Sequence, residues 1–337
     1  MRYLNAELHN VADLVETEKG GYRLLRLPRT LADRLNPNAK RSVYYSCGCE
    51  IRFQLHSEEA VIYLSRDECV RDVMPYGIAE VWQGDYQGRY QLSPQAVGQQ
   101  PTPIRIRRLG TQELKPFAGQ RKELFDPDLF RVFVPYDWGT SIHGIEGEIS
   151  PPKEDQVPQE TLLCYGSSIT HGGGASVPTG SYAFRLATRL GMDLRNLGLA
   201  GAAWMDEAMA DYICEQEWSI LTLEMGINVL HWSLEEFEAR CRSFVSRITA
   251  KHKEKAIYCI SPFRSAEDFK RKEHLQGMRD IIRRLVEESG RENLHYIDGS
   301  TCLTDLSGLS SDGLHPANRG MEEIAKQLYR SIRPGLN

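Results

Sequence analysis

Two serines, Ser167 and Ser168, stand side by side where the apolar run Thr161-Leu162-Leu163-Cys164-Tyr165 stops at Gly166. Ile169-Thr170-His171 and the glycines 172–174 follow. A serine at a sharp strand end can project its hydroxyl into a cleft, where a nucleophile has to be. Gly and Ser are also ordinary turn residues, so this stretch alone decides little. Far along the chain, Asp312-Gly313-Leu314-His315-Pro316 sets a carboxylate three residues ahead of an imidazole. A serine hydroxyl is a poor nucleophile until a base removes its proton. The near-neutral pKa of a histidine suits it to take that proton and later return it to a leaving alkoxide. A carboxylate on the other ring nitrogen would fix the tautomer. Read locally, Asp312-Gly313 is a turn and His315-Pro316 a helix entry.

The elements that must position these residues are legible around them. Thr161–Tyr165, Leu194–Leu197, Ile220–Met225, Ala256–Ile260 and Leu294–Asp298 read as short buried strands. Helical patterns over Tyr182–Leu190, Trp204–Cys214, Leu234–Thr249, Ala266–Ser289 and Gly320–Ser331 alternate with them. Such alternation implies a parallel sheet covered by helices on both faces. Ser168, Gly201, Asn228, Asp312 and His315 all fall after strand ends. In a parallel sheet those ends share one edge, so one cleft can collect all five.

The first part of the chain has another pattern. Short segments of β composition recur at Leu24–Pro28, Ser42–Phe53, Ala60–Ser65, Ala79–Gln83, Arg89–Leu92, Ile104–Leu109, Phe130–Pro135 and Gly144–Ile149, with no long helix between them. This predicts an all-β sandwich, jelly-roll-like, over 1–150. A proline- and charge-rich linker at 151–159 and an α/β domain over 160–337 follow. The α/β domain is expected to be a three-layer, flavodoxin-like α/β/α arrangement.

Composition narrows the function classes. The chain has 337 residues, 41% hydrophobic and 26% charged, as in ordinary globular proteins. A net charge of −5 argues against a nucleic-acid partner. No apolar stretch reaches the roughly 20 residues of a membrane span. The N-terminal residues lack a signal-peptide apolar core, and the eight cysteines read as buried free thiols, Cys69, Cys164 and Cys259 among them. Both points favour a cytoplasmic protein. Cys47-Gly48-Cys49 lacks the spacing and the second pair of a zinc site, so neither metal nor cofactor is expected. Self-association into a homo-oligomer is left open.

Four motifs in order give the chain from Thr161 onward its family likeness. Gly166-Ser167-Ser168-Ile169-Thr170, Asn196-Leu197-Gly198-Leu199-Ala200-Gly201, Gly226-Ile227-Asn228 and Asp312-Gly313-Leu314-His315-Pro316 resemble the successive blocks of the SGNH hydrolases, also called GDSL esterases and lipases. Ser167 and Val229 occupy positions where that family usually has Asp. The resemblance implies Ser168 as nucleophile, His315 as base and Asp312 as its orienting carboxylate. The backbone N–H groups of Ser168 and Gly201 and the side-chain amide of Asn228 would bind the oxyanion. Loss of one such donor typically removes ~3 kcal/mol of transition-state stabilisation. Competing local assignments are Ser167 as the exposed serine, His171 as base, and Asn228 as a helix cap. His171, Trp204 and His231 are candidates to line the substrate cleft, and Trp138 and His143 to reach over from the first region. A β-sandwich before such a domain resembles the two-domain, carbohydrate-esterase-like branch. The expected function is a serine esterase acting on a small acyl ester, foremost an O-acetyl group on a sugar or glycoside. Acyl transfer to an alcohol and a catalytically silent carbohydrate-binding protein are the alternatives.

Overall fold

The computed structural model describes residues 1–67, 74–108, 110, 112–118 and 125–333. Cys69 and Leu109 lie outside them. The C-terminal half is built on one five-stranded sheet in which every pairing is parallel. Its spatial order is Asp193–Gly198, Thr161–Gly166, Ile220–Glu224, Ala256–Ile260, Leu294–Ile297. Strands buried on both faces need apolar side chains on both, which is why their sequences read as continuous apolar runs instead of alternating ones. Leu163, Tyr165, Leu221 and Leu223 face the helices Glu207–Glu215, Leu234–Lys251 and Lys272–Ser289. Leu162, Cys164, Ile220 and Tyr258 face Tyr182–Leu190 and Asn318–Ile332. The helix ends follow local chemistry. Ser181 and Ser233 accept hydrogen bonds from Phe184 N and Glu236 N as N-caps, and Gly191 closes its helix in the left-handed conformation.

Two helices differ from the periodicity. The pattern predicts helix from Trp204, but the helix begins at Glu207, because Met205 has φ +56° and its N–H donates to Tyr165 Oη at 3.0 Å. The charged stretch predicted as one helix breaks at Arg271 into Glu267–Lys270 and Lys272–Ser289. There the Arg271 guanidinium donates to Leu230 O at 3.0 Å, tying the break to the loop after Asn228.

The N-terminal region forms two antiparallel sheets. One runs Arg2–Tyr3, Ala6–His9, Glu50–Leu55, Leu129–Phe133, Gly77–Gln83, Tyr86–Gln87, and the other Thr102–Arg107, Glu59–Arg66, Thr140–Glu146, Tyr22–Leu25, Asp13–Glu16. Ile51, Phe53 and Val132 of the first share an apolar cluster with Ile62, Leu64 and Ile104 of the second. The stretch Ser42–Phe53, predicted as one strand, is strand only from Glu50. Ala39–Ser42 is a helical turn, and Gly48, at φ +69°, lies against the Asn196 side chain. The predicted strand Arg89–Leu92 is not formed, and the two residues Tyr86–Gln87 pair with Trp82 and Gln83 instead. Residues 151–159 are anchored by the buried Gln156 and Pro158, with a 3-10 turn at Glu154–Gln156 and the Gln156 carbonyl accepting from Asp126 N at 3.0 Å.

A buried ionic cluster joins the two halves. Arg52, 1% exposed, donates to both Asp193 carboxylate oxygens at 2.7 and 2.6 Å and to Glu50 at 2.8 Å. Arg131 adds two more bonds to Glu50 at 2.9 and 3.0 Å. His9, Glu50 and Asp193 have the mutual spacing of metal ligands, but the Arg52 guanidinium already bonds to both carboxylates. Burial pushes the Glu50 carboxyl up, and the two guanidiniums more than reverse this, to about 2. Its stabilisation is therefore complete above the unfolded-state value of ~4.3 and is lost as pH falls through about 2. Glu50→Ala removes the carboxylate shared by two buried guanidiniums, leaving Arg52 with Asp193 and Arg131 with the more distant Asp85, and should cost about 3 kcal/mol, read as a lowered urea midpoint at neutral pH.

Candidate active site

The strand Thr161–Gly166 ends at Ser167, whose backbone is extended and whose hydroxyl accepts from Ile169 N at 3.1 Å. Ser167 is thus a buried N-cap, and Ser168 is the first residue of the one-turn helix Ser168–His171. The cap turns Ser167 inward and leaves Ser168 half-buried at the carboxyl edge of the sheet. Ser168 Oγ lies 2.7 Å from His315 Nε2, and His315 Nδ1 lies 2.6 Å from Asp312 Oδ2. An ionised carboxylate only accepts, so Nδ1 carries the proton and Nε2 is free to take one from the serine. The other Asp312 oxygen accepts from Leu314 N, His315 N and Ser310 Oγ at 2.8, 2.9 and 2.7 Å. Burial alone would push the Asp312 carboxyl up, but these donors and His315 hold it well below the usual carboxylate range.

The imidazole reaches the serine because the glycine run makes room. A Cβ on Gly173 would sit 3.0 Å from both His315 Cδ2 and Ser168 O. One on Gly174, at φ +95°, would collide with Pro316 O.

The second and third motifs meet beside this turn. Leu199 N donates to Gly166 O at 2.7 Å, and Ala203 N donates to Asn228 Oδ1 at 3.1 Å. The second bond leaves Asn228 Nδ2 as the free end of the amide. Neither it nor the Gly201 N–H meets a protein acceptor among the described residues. Gly201 sits at φ +69° with open space where a Cβ would be, so its backbone edge is accessible. Ser168 N, at a helix start, has no intrahelical acceptor. Asn228 begins no helix of its own beyond the turn Ile227–Val229; the helix after it is capped by Ser233.

The secondary candidates divide. Trp204 and His231 come together with ring centroids 5.9 Å apart, next to Ala203 and Asn228. The indole Nε1 is buried without a protein acceptor. His231 also lines an open groove of about 850 Å³ between residues 230–233 and 269–274. His171 is not on the cleft wall. It is 2% exposed, with its ring edge-on to Tyr45 and Tyr136, because the helical turn directs it away from Ser168 and back into the N-terminal region. Burial would lower its pKa, but the Cys47 thiol and Asp137 beside it raise it to about 9. Trp138 stacks under Arg66 and His143 bonds to Ser65 Oγ at 2.7 Å, so neither is held toward Ser168. The neighbours Tyr136 and Asp137 instead contact the segment after Ser168, at Ala175 O and at His171.

One residue escaped the sequence reading. Glu224, fully buried at the end of its strand, accepts from Ser167 N at 2.6 Å and from Thr170 Oγ1 at 3.2 Å. A carboxyl group therefore underpins the serine turn although Ser167 has none. Its burial pushes the Glu224 pKa up. The available signal was a lone glutamate closing the apolar strand Ile220-Leu221-Thr222-Leu223.

The chain belongs to the GDSL-like lipase/acylhydrolase family, whose model matches residues 159–333. No curated protein matches it. Solved structures share its fold over nearly the whole length. A salicylyl-acyltransferase from a tetracycline biosynthetic pathway is 16% identical with a TM-score of 0.81, covering 98% of this chain and 95% of that one. A putative GDSL-like lipase from Bacteroides ovatus is 21% identical with a TM-score of 0.72, covering 98% and 97%. A family two carbohydrate esterase from Clostridium thermocellum is 14% identical with a TM-score of 0.62, covering 87% and 93–94%.

The close packing of Gly173 against His315 has a measurable consequence. Gly173→Ala must displace the imidazole by a few tenths of an ångström or more. Turnover of an activated ester should fall by about ten- to a hundredfold with little change in thermal midpoint; unchanged turnover would mean the observed Ser168–His315 contact is not needed.

Proposed function

We propose that the protein is a serine esterase that cleaves small acyl esters through an acyl-enzyme on Ser168. Ser168 Oγ attacks the ester carbonyl carbon as its proton passes to His315 Nε2. The carbonyl oxygen becomes an oxyanion facing Ser168 N, Gly201 N and Asn228 Nδ2, and Asp312 stabilises the imidazolium. Collapse expels the alkoxide, which takes the proton from Nε2. Water then gives a proton to the same nitrogen, attacks the acyl carbon, and releases the acid and the free serine. The observation that carries this reading is the continuous relay of 2.7 and 2.6 Å from hydroxyl to imidazole to carboxylate.

The alcohol side of the substrate is proposed to lie toward Trp204 and His231. Their rings border the oxyanion donors and offer apolar faces on which the alcohol part can rest. With the carbohydrate esterases among structures of this fold, this supports an O-acetylated sugar or glycoside as substrate. Transfer of the acyl group to an alcohol is the second reading, supported by the whole-length likeness to the salicylyl-acyltransferase. We read 1–150 as a jelly-roll-like β-sandwich, 151–159 as its linker, and 160–337 as the flavodoxin-like three-layer hydrolase domain. The seven thiols free among the described residues suit a reducing, cytoplasmic setting.

Ser168→Ala should lower p-nitrophenyl acetate turnover at least about a thousandfold while circular dichroism stays native; turnover retained in that variant removes Ser168 as nucleophile. Asp312→Asn should lower kcat by about 10³–10⁴-fold, and a negligible loss would reduce the machinery to a Ser–His pair. Product analysis with acetylated xylosides, with and without an added alcohol acceptor, separates the two readings. Acetate alone supports hydrolysis, and an acetylated acceptor exceeding acetate supports transfer.

A further inference from the structure

The loop that carries Gly201 is gripped from behind by side chains of the N-terminal region, carbonyl by carbonyl. Asn196 O accepts from Asn10 Nδ2 and from Arg26 Nη1 at 3.1 and 3.0 Å. Gly198 O accepts from Arg26 Nη2 at 3.0 Å, Ala200 O from Ser42 Oγ at 2.7 Å, Gly201 O from Asn38 Nδ2 at 3.3 Å, and Ala202 O from Asn36 Nδ2 at 3.0 Å. Arg26 is 1% exposed and also donates to Ser42 O and Tyr45 O, so one guanidinium ties the gripping segment to the gripped loop. All six bonds run from a side-chain donor to a carbonyl, three at the end of the strand and three in the loop after it; none of them engages a loop N–H.

One bond in this set bears directly on the chemistry. Ala202 N donates to Leu199 O at 3.0 Å, closing a four-residue turn whose third residue, Gly201, has φ +69°. Positive φ at that place marks a type II turn. Type I and type II differ by a flip of the central peptide, and a glycine at the third place tolerates both. The central peptide here joins Ala200 C=O to Gly201 N–H, and in a trans peptide these two dipoles point in opposite directions. Whatever fixes the Ala200 oxygen toward the N-terminal region therefore fixes the Gly201 hydrogen on the opposite side, away from that region. The Ser42 hydroxyl, 2% exposed, fixes it. By hydrogen bonding to the carbonyl it also polarises the same peptide and strengthens its N–H as a donor.

We infer that Ser42 is a positioning residue for the reaction: it locks the Ala200–Gly201 peptide in the flip state that presents the Gly201 N–H to the oxyanion, with Arg26 holding Ser42 in place. The N-terminal region thereby completes the reactive centre without touching substrate. The inference rests on the acyl-enzyme reading given above.

The test uses the full-length protein with p-nitrophenyl acetate turnover, and a simple alkylboronic acid as a tetrahedral probe. Ser42→Ala should lower kcat about tenfold, a fraction of the 10²–10³-fold lost when an oxyanion donor is deleted outright. KM should change less than about twofold, and boronate affinity should weaken in parallel with kcat. The pH profile should keep its shape, because the Ser168–His315–Asp312 relay is untouched. Ser42→Thr, which retains the hydroxyl, should recover most of kcat. His9→Ala deletes a contact of the same interface outside the turn, His9 Nε2 to Leu194 O at 2.6 Å. It should lower the thermal midpoint and leave kcat unchanged. If Ser42→Ala keeps wild-type kcat and boronate affinity, or if His9→Ala loses as much kcat, the inference is overturned. If the wild type has no turnover, or Ser168→Ala matches it, the acyl-enzyme reading itself has failed, which is a separate result.

Discussion

A backbone N–H without an acceptor is something folded chains rarely keep, and the proposed chemistry depends on two of them. Each arises from a local device that frees a donor without burying it. Ser168 N is free because a helix begins there. Gly201 N is free because a tight turn satisfies its neighbour, Ala202 N, and leaves it at an exposed edge. Much of the surrounding polar structure secures these two orientations. Ser167 caps the serine helix, Glu224 holds Ser167 N from below, and the Arg26–Ser42 set holds the carbonyl side of the second loop. In the proposed reaction the donors themselves stay unspent for a charge that appears only in the transition state.

The relay opposite them obeys a different requirement, close approach. His315 comes from a loop separated from Ser168 by 147 residues and still reaches hydrogen-bond distance, because the glycines after the serine helix present no side chains. Asp312 then has to hold the ring at fixed orientation while staying ionised. Its second oxygen accepts three bonds from its own turn, so ring and carboxylate form one small rigid unit. Orientation of the base is thus local in sequence, and only the meeting of base with serine is long-range.

That difference explains what could be read in advance. The parallel strands were legible because strands buried on both faces are apolar throughout, and the strand Ala256–Ile260 matches the sequence reading to the residue. Three of the motifs mark strand ends and the fourth lies in the long connection after the last strand, so Ser168, Asn228, Asp312 and His315 could be assembled on one edge without coordinates. What failed depended on partners distant in the chain. Ser42–Cys49 has strand composition but leaves the sheet because Arg26 bonds its carbonyls and Ser42 is drawn to Ala200. The helix expected from Trp204 starts late because Tyr165 Oη captures Met205 N. His171 reads as a cleft residue by proximity to Ser168, yet it points the other way. Proximity in sequence says nothing about which side of a one-turn helix a residue takes.

The two halves are better understood as one reactive unit than as an enzyme with an appendage. Interfaces between such regions commonly allow relative motion, and here too apolar side chains are buried, Leu27, Leu31 and Val43 sharing a cluster with Leu199 and Ala202. This one carries the Arg52–Asp193 pair and a row of side-chain donors aimed at a single loop. Buried ionic and hydrogen-bonded contacts of this kind stabilise little on balance, but they are intolerant of displacement, because breaking any one strands a desolvated group. A small shift between the halves would thus be opposed both at the Arg52–Asp193 pair and where the Gly201 turn is held. In the proposed reaction a serine–histidine relay on the sheet alone could form an attacking hydroxyl, and fixing where the oxyanion goes is the part that calls for the N-terminal region to stay in register with it.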